Sequence, residues 1–348
     1  MVSKFFLIFL LITHIGEREA SMIRHSTVFF RVTAFIFLIM ILYVSVGCDS
    51  SSDRGQSLDL TDRISNERIQ ADKNENNALN DEKNVLIFGF DLRNSPSEDA
   101  KQYLPFINYL SEVTGLPIKL KFTPKGSDIA TELGKGRIHL AAIGATSYIN
   151  ARERYGVQVL ARGINNKSKA EYRSIIVIHP TSKLNNLASL KGKQFAFGSI
   201  DSTQGHLIPR IELSNVGVGL DELANYEYTG SHLNCANAVI SAQMDACGMQ
   251  DTMAEEFVSK GLLRKLYTSP YYPSSGIAAN QAIPKAILDK ITKALIDFKP
   301  EGKHKELLYH WDKTEMPKGF IRANVEDYVE LRKWMIKFKL ITEIKSVS

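Results

Sequence analysis

From Val85 onward, short apolar runs alternate with segments whose apolar residues recur three and four apart, and no other feature narrows the possible folds as much. Val85 to Phe90 is a continuous apolar run, as expected of a strand buried on both faces. Tyr103 to Val113 follows with helical spacing, and Gly115-Leu116-Pro117 stops it. The pattern then repeats as strand Ile118 to Phe122, helix Asp128 to Leu133, strand Ile138 to Ile143, helix Thr146 to Arg154 and strand Val157 to Arg162. After strand Arg173 to Ile178 a second series reads strand Phe195 to Gly198, helix Thr203 to Leu213, strand Tyr226 to Tyr228, helix Leu233 to Ala242, strand Asp245 to Met249, helix Thr252 to Ser259 and strand Leu263 to Thr268. Gly276 to Ala279, a helix from Lys285 to Phe298 and an amphipathic helix from Val325 to Phe338 close the chain. Such alternation predicts an α/β fold with mixed, mainly parallel sheets covered by helices. A chain of 348 residues exceeds what one core usually supports, so two lobes are expected, with ligands at the loops that follow strands.

The first 83 residues do not share this texture. Arg24, His25 and Arg31 precede an apolar run from Val32 to Val46, the layout of an export signal that begins at Met22. Residues 1–21 then read as an upstream extension, and 1–47 as a removed signal peptide. Ser45-Val46-Gly47-Cys48 resembles a bacterial lipobox, with Ser where Leu is usual, and makes Cys48 the expected lipidation site. The other reading is an uncleaved anchor, but about 15 apolar residues fall short of the roughly 20 that span a bilayer. Residues 48–83 are polar and poor in large apolar side chains, a composition that cannot bury enough surface to order itself, and are expected to be a tether. The protein is therefore expected outside the cytoplasm, held to a membrane by its lipidated cysteine.

Charge and cysteine content remove other classes. The balance of 43 Lys+Arg against 38 Asp+Glu is too slight for a nucleic-acid binder, and three cysteines cannot make a four-cysteine zinc site. No Gly-x-Ser-x-Gly elbow, His-x-x-x-His pair or phosphate-binding Gly-x-x-x-x-Gly-Lys loop is present. These absences argue against an enzyme, a cofactor or a metal, with a periplasmic hydrolase as the lesser alternative, and a monomer is expected. Cys235 and Cys247 fall on a predicted helix and the strand beneath it. Two buried thiols are expected there, with a disulfide as the alternative that an oxidising compartment allows.

The segment from Lys191 to His206 carries the chemistry. A buried strand ends at Gly198, a polar turn follows, and a helix starts near Ser202-Thr203. Free N–H groups at a helix start, joined by hydroxyl donors, attract an anion without Lys or Arg. Leu190 to Pro209 resembles the binding loop of the phosphonate- and phosphite-binding subunits of ABC transporters: a Leu-Lys-Gly-Lys lead, an Ala-Phe-Gly strand and Ser-Thr-Ser-Gly, with Gln204 in place of the second Ser. Tyr228-Thr229-Gly230-Ser231-His232, Met244-Asp245-Ala246-Cys247-Gly248-Met249, Ile138 to Gly144 with Tyr148, and Gly319-Phe320 to Tyr328 resemble further family segments in the same order.

This resemblance implies a two-lobed, hinge-closing solute-binding protein that traps a small phosphorus oxyanion (phosphonate, phosphite or phosphate) in an interlobe cleft. Lobe 1 would comprise 84–183 plus 274–348 and lobe 2 184–273, with crossing segments near Thr181 to Asn186 and Thr268 to Ser275. It implies that Ser202 and Thr203 bind the phosphoryl oxygens, that Gln204 offers an amide where the family has a hydroxyl, and that Tyr148 and His232 line the pocket. Asp251 would meet a ligand ammonium or protonated oxygen, since a bare carboxylate disfavours an anion. Asp91, on the loop after the first strand, which in this architecture opens toward the same cleft, would either accept from a protonated ligand or stabilise the loop, and Arg93 beside it is expected to be solvated, with assistance to the anion as the alternative. His139, His179 and His206 occur singly and read as structural groups. The expected partner is an ABC permease; a membrane chemoreceptor or sensor kinase is the alternative.

Overall fold

A computed structural model describes residues 85–90, 96–124 and 126–342. The expected signal peptide and tether, Cys48, Asp91 and Arg93 lie outside the described residues. In chain order the elements are β1 (Leu86–Phe90), α1 (Pro96–Thr114), β2 (Ile118–Phe122), α2 (Ile129–Gly134), β3 (Leu140–Ile143), α3 (Ala145–Tyr155), β4 (Gln158–Gly163), β5 (Glu171–Tyr172), β6 (Ser174–Ile178) and β7 (Gln194–Phe197). A π-turn (Thr203–Leu207) leads into α4 (Ile208–Asn215). Then come β8 (Asn225–Tyr228), α5 (His232–Ile240), β9 (Ala246–Gln250), α6 (Asp251–Ser259), β10 (Arg264–Thr268), β11 (Tyr272–Pro273), β12 (Gly276–Ala279), α7 (Lys285–Asp297), β13 (Phe320–Arg322) and α8 (Val329–Lys337).

Two sheets organise these elements, a six-stranded one in the order β13-β4-β12-β3-β1-β2 and a five-stranded one in the order β10-β6-β9-β7-β8. Both are mixed: β1 pairs in parallel with β2 and β3, and β7 with β8 and β9, whereas β12 runs antiparallel between β3 and β4 and β6 antiparallel between β9 and β10. The antiparallel share is larger than βαβ alternation predicts, because β6 and β12 enter their sheets directly from crossing segments, without a helical crossover to turn them parallel.

The first crossing corrects the expected boundary. Ser174–Ile178 was assigned to the first lobe, yet β6 pairs along its whole length with β9 of the five-stranded sheet, so the chain leaves the six-stranded sheet after Gly163 and not at Thr181 to Asn186. Past Ser174 the strand is wholly apolar and reads the same in either sheet, so its sequence carried no information about which one it joins. The return crossing does fall within Thr268 to Ser275, and the two crossing segments pair as the short ladder β5-β11, Tyr172 opposite Tyr272.

Apolar clusters cover both faces of each sheet. Phe88, Phe90, Tyr103, Phe106, Phe298, Trp311 and Phe320 pack one face of the larger sheet, where burial of each large side chain contributes about 1.5 to 3 kcal/mol. The cluster on its other face joins Ile143, Ala145 and Tyr148 to Leu207 and Ile211, which follow β7 in the chain. That packing brings the start of α3 against the loop after β7.

Cys235 on α5 and Cys247 on β9 form a disulfide, with Cα atoms 5.7 Å apart, in place of the two thiols expected. Both are fully buried among Val239, Met249 and Ala254, so the helix-on-strand packing that made approach possible brings them together.

The helix expected over Thr203 to Leu213 begins as a π-turn. Pro209 has no N–H to return to the Gly205 carbonyl, which instead accepts from Gly198 N–H at 2.9 Å. Leu207 N–H reaches Ser202 O at 3.1 Å, a span of five residues. Such widened turns recur at functional sites because they re-aim the helix start.

Candidate anion site at two converging helix starts

Ser202 and Thr203 sit where the loop after β7 turns into this helix. Ser202 Oγ accepts from Gly205 N–H at 2.9 Å, so the cap engages its acceptor side and leaves the O–H to donate. Thr203 Oγ1 accepts twice, from Thr146 N–H at 2.9 Å and from the Thr146 hydroxyl at 3.0 Å, which likewise turns its own O–H outward as a donor. Both adjacent hydroxyls thus keep an O–H available to donate, the polarity an oxyanion requires.

Thr146 belongs to the first turn of α3, whose cap residue is Gly144 in an extended conformation with no capping side chain. The Thr146 N–H at this helix start therefore meets Thr203 rather than a capping side chain of its own helix. A Cβ on Gly144 would stand 3.5 Å from Thr203 Oγ1 and 4.0 Å from Ser275 Oγ, which places Ser275, just before β12, at the same junction. Sequence reasoning took Thr146 only as a helix start and passed over Ser275. A signal existed for Thr146, since Gly144-Ala145-Thr146-Ser147 repeats, after an apolar strand, the glycine-then-hydroxyl order of Gly198 to Thr203.

His232, the first residue of α5, packs against this loop: a Cβ on Gly205 would come within 2.9 Å of its Cε1, so only glycine allows that approach. Ser231 caps α5 by accepting from Asn234 N–H at 3.1 Å and holds the histidine there.

Gln204 turns the other way. Its Nε2 donates to Arg173 O at 2.8 Å and lies 3.4 Å from Asp251 Oδ1, bridging the first crossing segment to the start of α6. The amide expected to face a ligand is engaged in that bridge. Burial holds the Asp251 carboxyl above its usual range, opposed by the Thr252 N–H that donates to it at 2.9 Å.

Tyr148 is 1% exposed and packs against Tyr328 with ring centroids 4.7 Å apart. The structure sets it in the core beneath α3 rather than at the loop, because two residues along a helix turn a side chain to the opposite flank from Thr146. His139 accepts Ile87 N–H at 2.9 Å between β3 and β1, a structural group as expected. Two surface depressions, one beside Arg152 and Asn324 and one beside Lys293 and Phe320, lie on other faces. Among the described residues no cluster of three or more His, Cys, Asp or Glu could hold a metal.

Comparison with known proteins agrees with this architecture. The family model for the periplasmic substrate-binding protein of phosphonate ABC transporters matches residues 88–328. The phosphonates-binding periplasmic protein of Escherichia coli K12 is 23% identical over 240 residues, 66% of this chain and 70% of the relative. A probable ABC transporter phosphite-binding protein of Prochlorococcus marinus MIT 9301 is 25% identical over 268 residues, 71% of this chain and 81% of the relative. The solved structure of a Prochlorococcus marinus MIT 9301 protein in complex with methylphosphonate superposes with a TM-score of 0.65 at 22% identity, covering 74% of this chain and 99% of that one. With the family model spanning both sheets and the fold shared, the chain belongs to the phosphonate family of periplasmic substrate-binding proteins of ABC transporters.

Proposed function

We propose that the junction between α3 and the Ser202-Thr203 turn captures a small phosphorus oxyanion, which the protein delivers to an ABC permease. The observation that carries this is the Thr146-to-Thr203 hydrogen bond at 2.9 Å, because it brings helix starts that follow strands of two different sheets onto one point. Partial positive charge from both, together with the Ser202 and Thr203 hydroxyls and His232, suits an anion that has several oxygens and no need of Arg or Lys. A ligand touching both sides stabilises their approach by its differential affinity for the joined arrangement. Asp251 and Asp91 are the acceptors proposed for a ligand's protonated oxygen or ammonium, Asp251 with one oxygen already shared with Gln204.

Relatives named for phosphonates, phosphite and phosphate import mark the range of anions to test. Titration calorimetry of the soluble chain with phosphate, phosphite, methylphosphonate and 2-aminoethylphosphonate is expected to give saturable binding of at least one. No heat with any of the four overturns the ligand class.

Cys48 is proposed to carry the lipid that holds the protein at the membrane. Cys48→Ser is expected to move it from the membrane to the soluble periplasmic fraction, and unchanged membrane association would exclude that anchor.

A further inference from the structure

His206 lies on the π-turn, three residues beyond Thr203, and its side chain is fully buried. Its Nδ1 is 2.6 Å from the Ile200 carbonyl oxygen, which can only accept, so Nδ1 carries the proton. Burial depresses the imidazole pKa to about 4, so the ring is neutral near pH 7 and Nε2 is an acceptor. The Tyr228 hydroxyl stands 3.1 Å from Nε2 and donates to it. Phe197 of β7 and Tyr228 of β8 meet the imidazole edge-on, at 5.2 and 4.9 Å between centroids.

These contacts join three pieces of the site. Ile200 precedes Ser202 by two residues, Tyr228 precedes the Thr229 to His232 segment, and His206 itself follows Thr203. We infer that His206 is a positioning residue for anion capture: its two ring nitrogens hold the 199–203 turn and the Tyr228 end of β8 at one separation, so that the Ser202 and Thr203 hydroxyls and His232 face the same point. This rests on the proposed anion site but concerns a residue that itself donates nothing to the anion.

The arrangement is also acid-sensitive. A second proton on the ring removes the acceptor that Tyr228 needs, and places an imidazolium near Arg210 of α4, the charged group that faces it. Burial raises the Tyr228 hydroxyl above its ordinary range, so it stays protonated there and cannot offset the charge.

Tyr228→Phe removes the O–H and keeps the ring, and His206→Asn keeps a donor near Nδ1 while removing the ring acceptor. Dissociation constants for phosphite and methylphosphonate are compared between each variant and the wild type at matched pH, a ratio that cancels the ligand's own titration. The ratio is expected to be about 10 at pH 7 and to fall toward 1 as pH approaches 4, where the wild type loses the same bond. A ratio of 1 at pH 7, or one that does not change with pH, overturns the inference.

Native-state amide exchange of Ser202 to Gly205 supplies a readout without ligand. Tyr228→Phe is expected to speed it about tenfold relative to the β7 amides, and equal exchange overturns the positioning role. Should the wild type bind neither of these two, the proposed ligand class stands or falls on phosphate and 2-aminoethylphosphonate, and this exchange comparison alone decides the role of His206.

Discussion

Changing Ser202 and Thr203 together to alanine is expected to weaken binding of the anion by about 2 to 5 kcal/mol, roughly 30- to 4,000-fold in dissociation constant. A hydrogen bond to a charged group is worth about 1.5 to 3 kcal/mol, and two adjacent donors do not add in full. The geometry leaves both O–H groups available to donate, since Ser202 Oγ already accepts from Gly205 N–H and Thr203 Oγ1 from Thr146 N–H. The same change also removes the cap, at about 1 kcal/mol of stability. Calorimetry must therefore be read beside thermal unfolding. Ser202→Thr, which retains a capping hydroxyl, should restore most of the affinity lost at that position if the role is donation. Unchanged affinity in a folded double variant would reduce both residues to helix caps.

The second large effect concerns the Cys235–Cys247 disulfide. It closes a loop of sequence separation 12 within one helix-strand unit, for which loop-closure arithmetic gives about 3 kcal/mol. Replacing both cysteines with alanine is expected to lower Tm by about 5 to 10 °C, on the scaling for a domain of this size. Alkylation in denaturant without reductant should leave both unlabelled. Labelling of both in protein purified from an oxidising compartment would show that the pair stays reduced. Because α5 starts at His232 and the cysteine follows three residues later, reduction is also expected to loosen the histidine's seat against Gly205.

Most strands were legible because a strand buried on both faces is a short apolar run, as Val85 to Phe90 and Gly276 to Ala279 are, while Ile118 to Phe122 alternates apolar residues with Lys119 and Lys121 as an edge strand does. What such a run omits is its neighbour. Arg173 to Ile178 was recognised as a strand and assigned to the wrong sheet, since apolar side chains on both faces suit any interior position. The start of the helix at Thr203 was legible from its polar turn, while the π-turn followed from a missing N–H at Pro209 that matters only once Gly198 is near enough to bond Gly205 O. Gln204 was visible as a departure from the family loop. Its engagement with Arg173 and Asp251 was not, because those partners lie 31 and 47 residues away in the chain.

By itself the sequence determined the alternation of strands and helices, the ordered family segments and a hydroxyl-bearing helix start with no basic side chain, all of which depend on neighbours within a few residues. Only the tertiary structure decided that a second helix start, at Thr146, meets Thr203, that Tyr148 belongs to the core, that Cys235 and Cys247 are joined and that His206 bridges Ile200 to Tyr228. Each of these is a contact between strand ends or helix faces distant in sequence, set by the order in which strands pair and by the packing of Leu207 and Ile211 against α3. A linear pattern cannot encode that order, because side chains interchangeable in burial leave several pairings equally satisfied until the whole core is assembled.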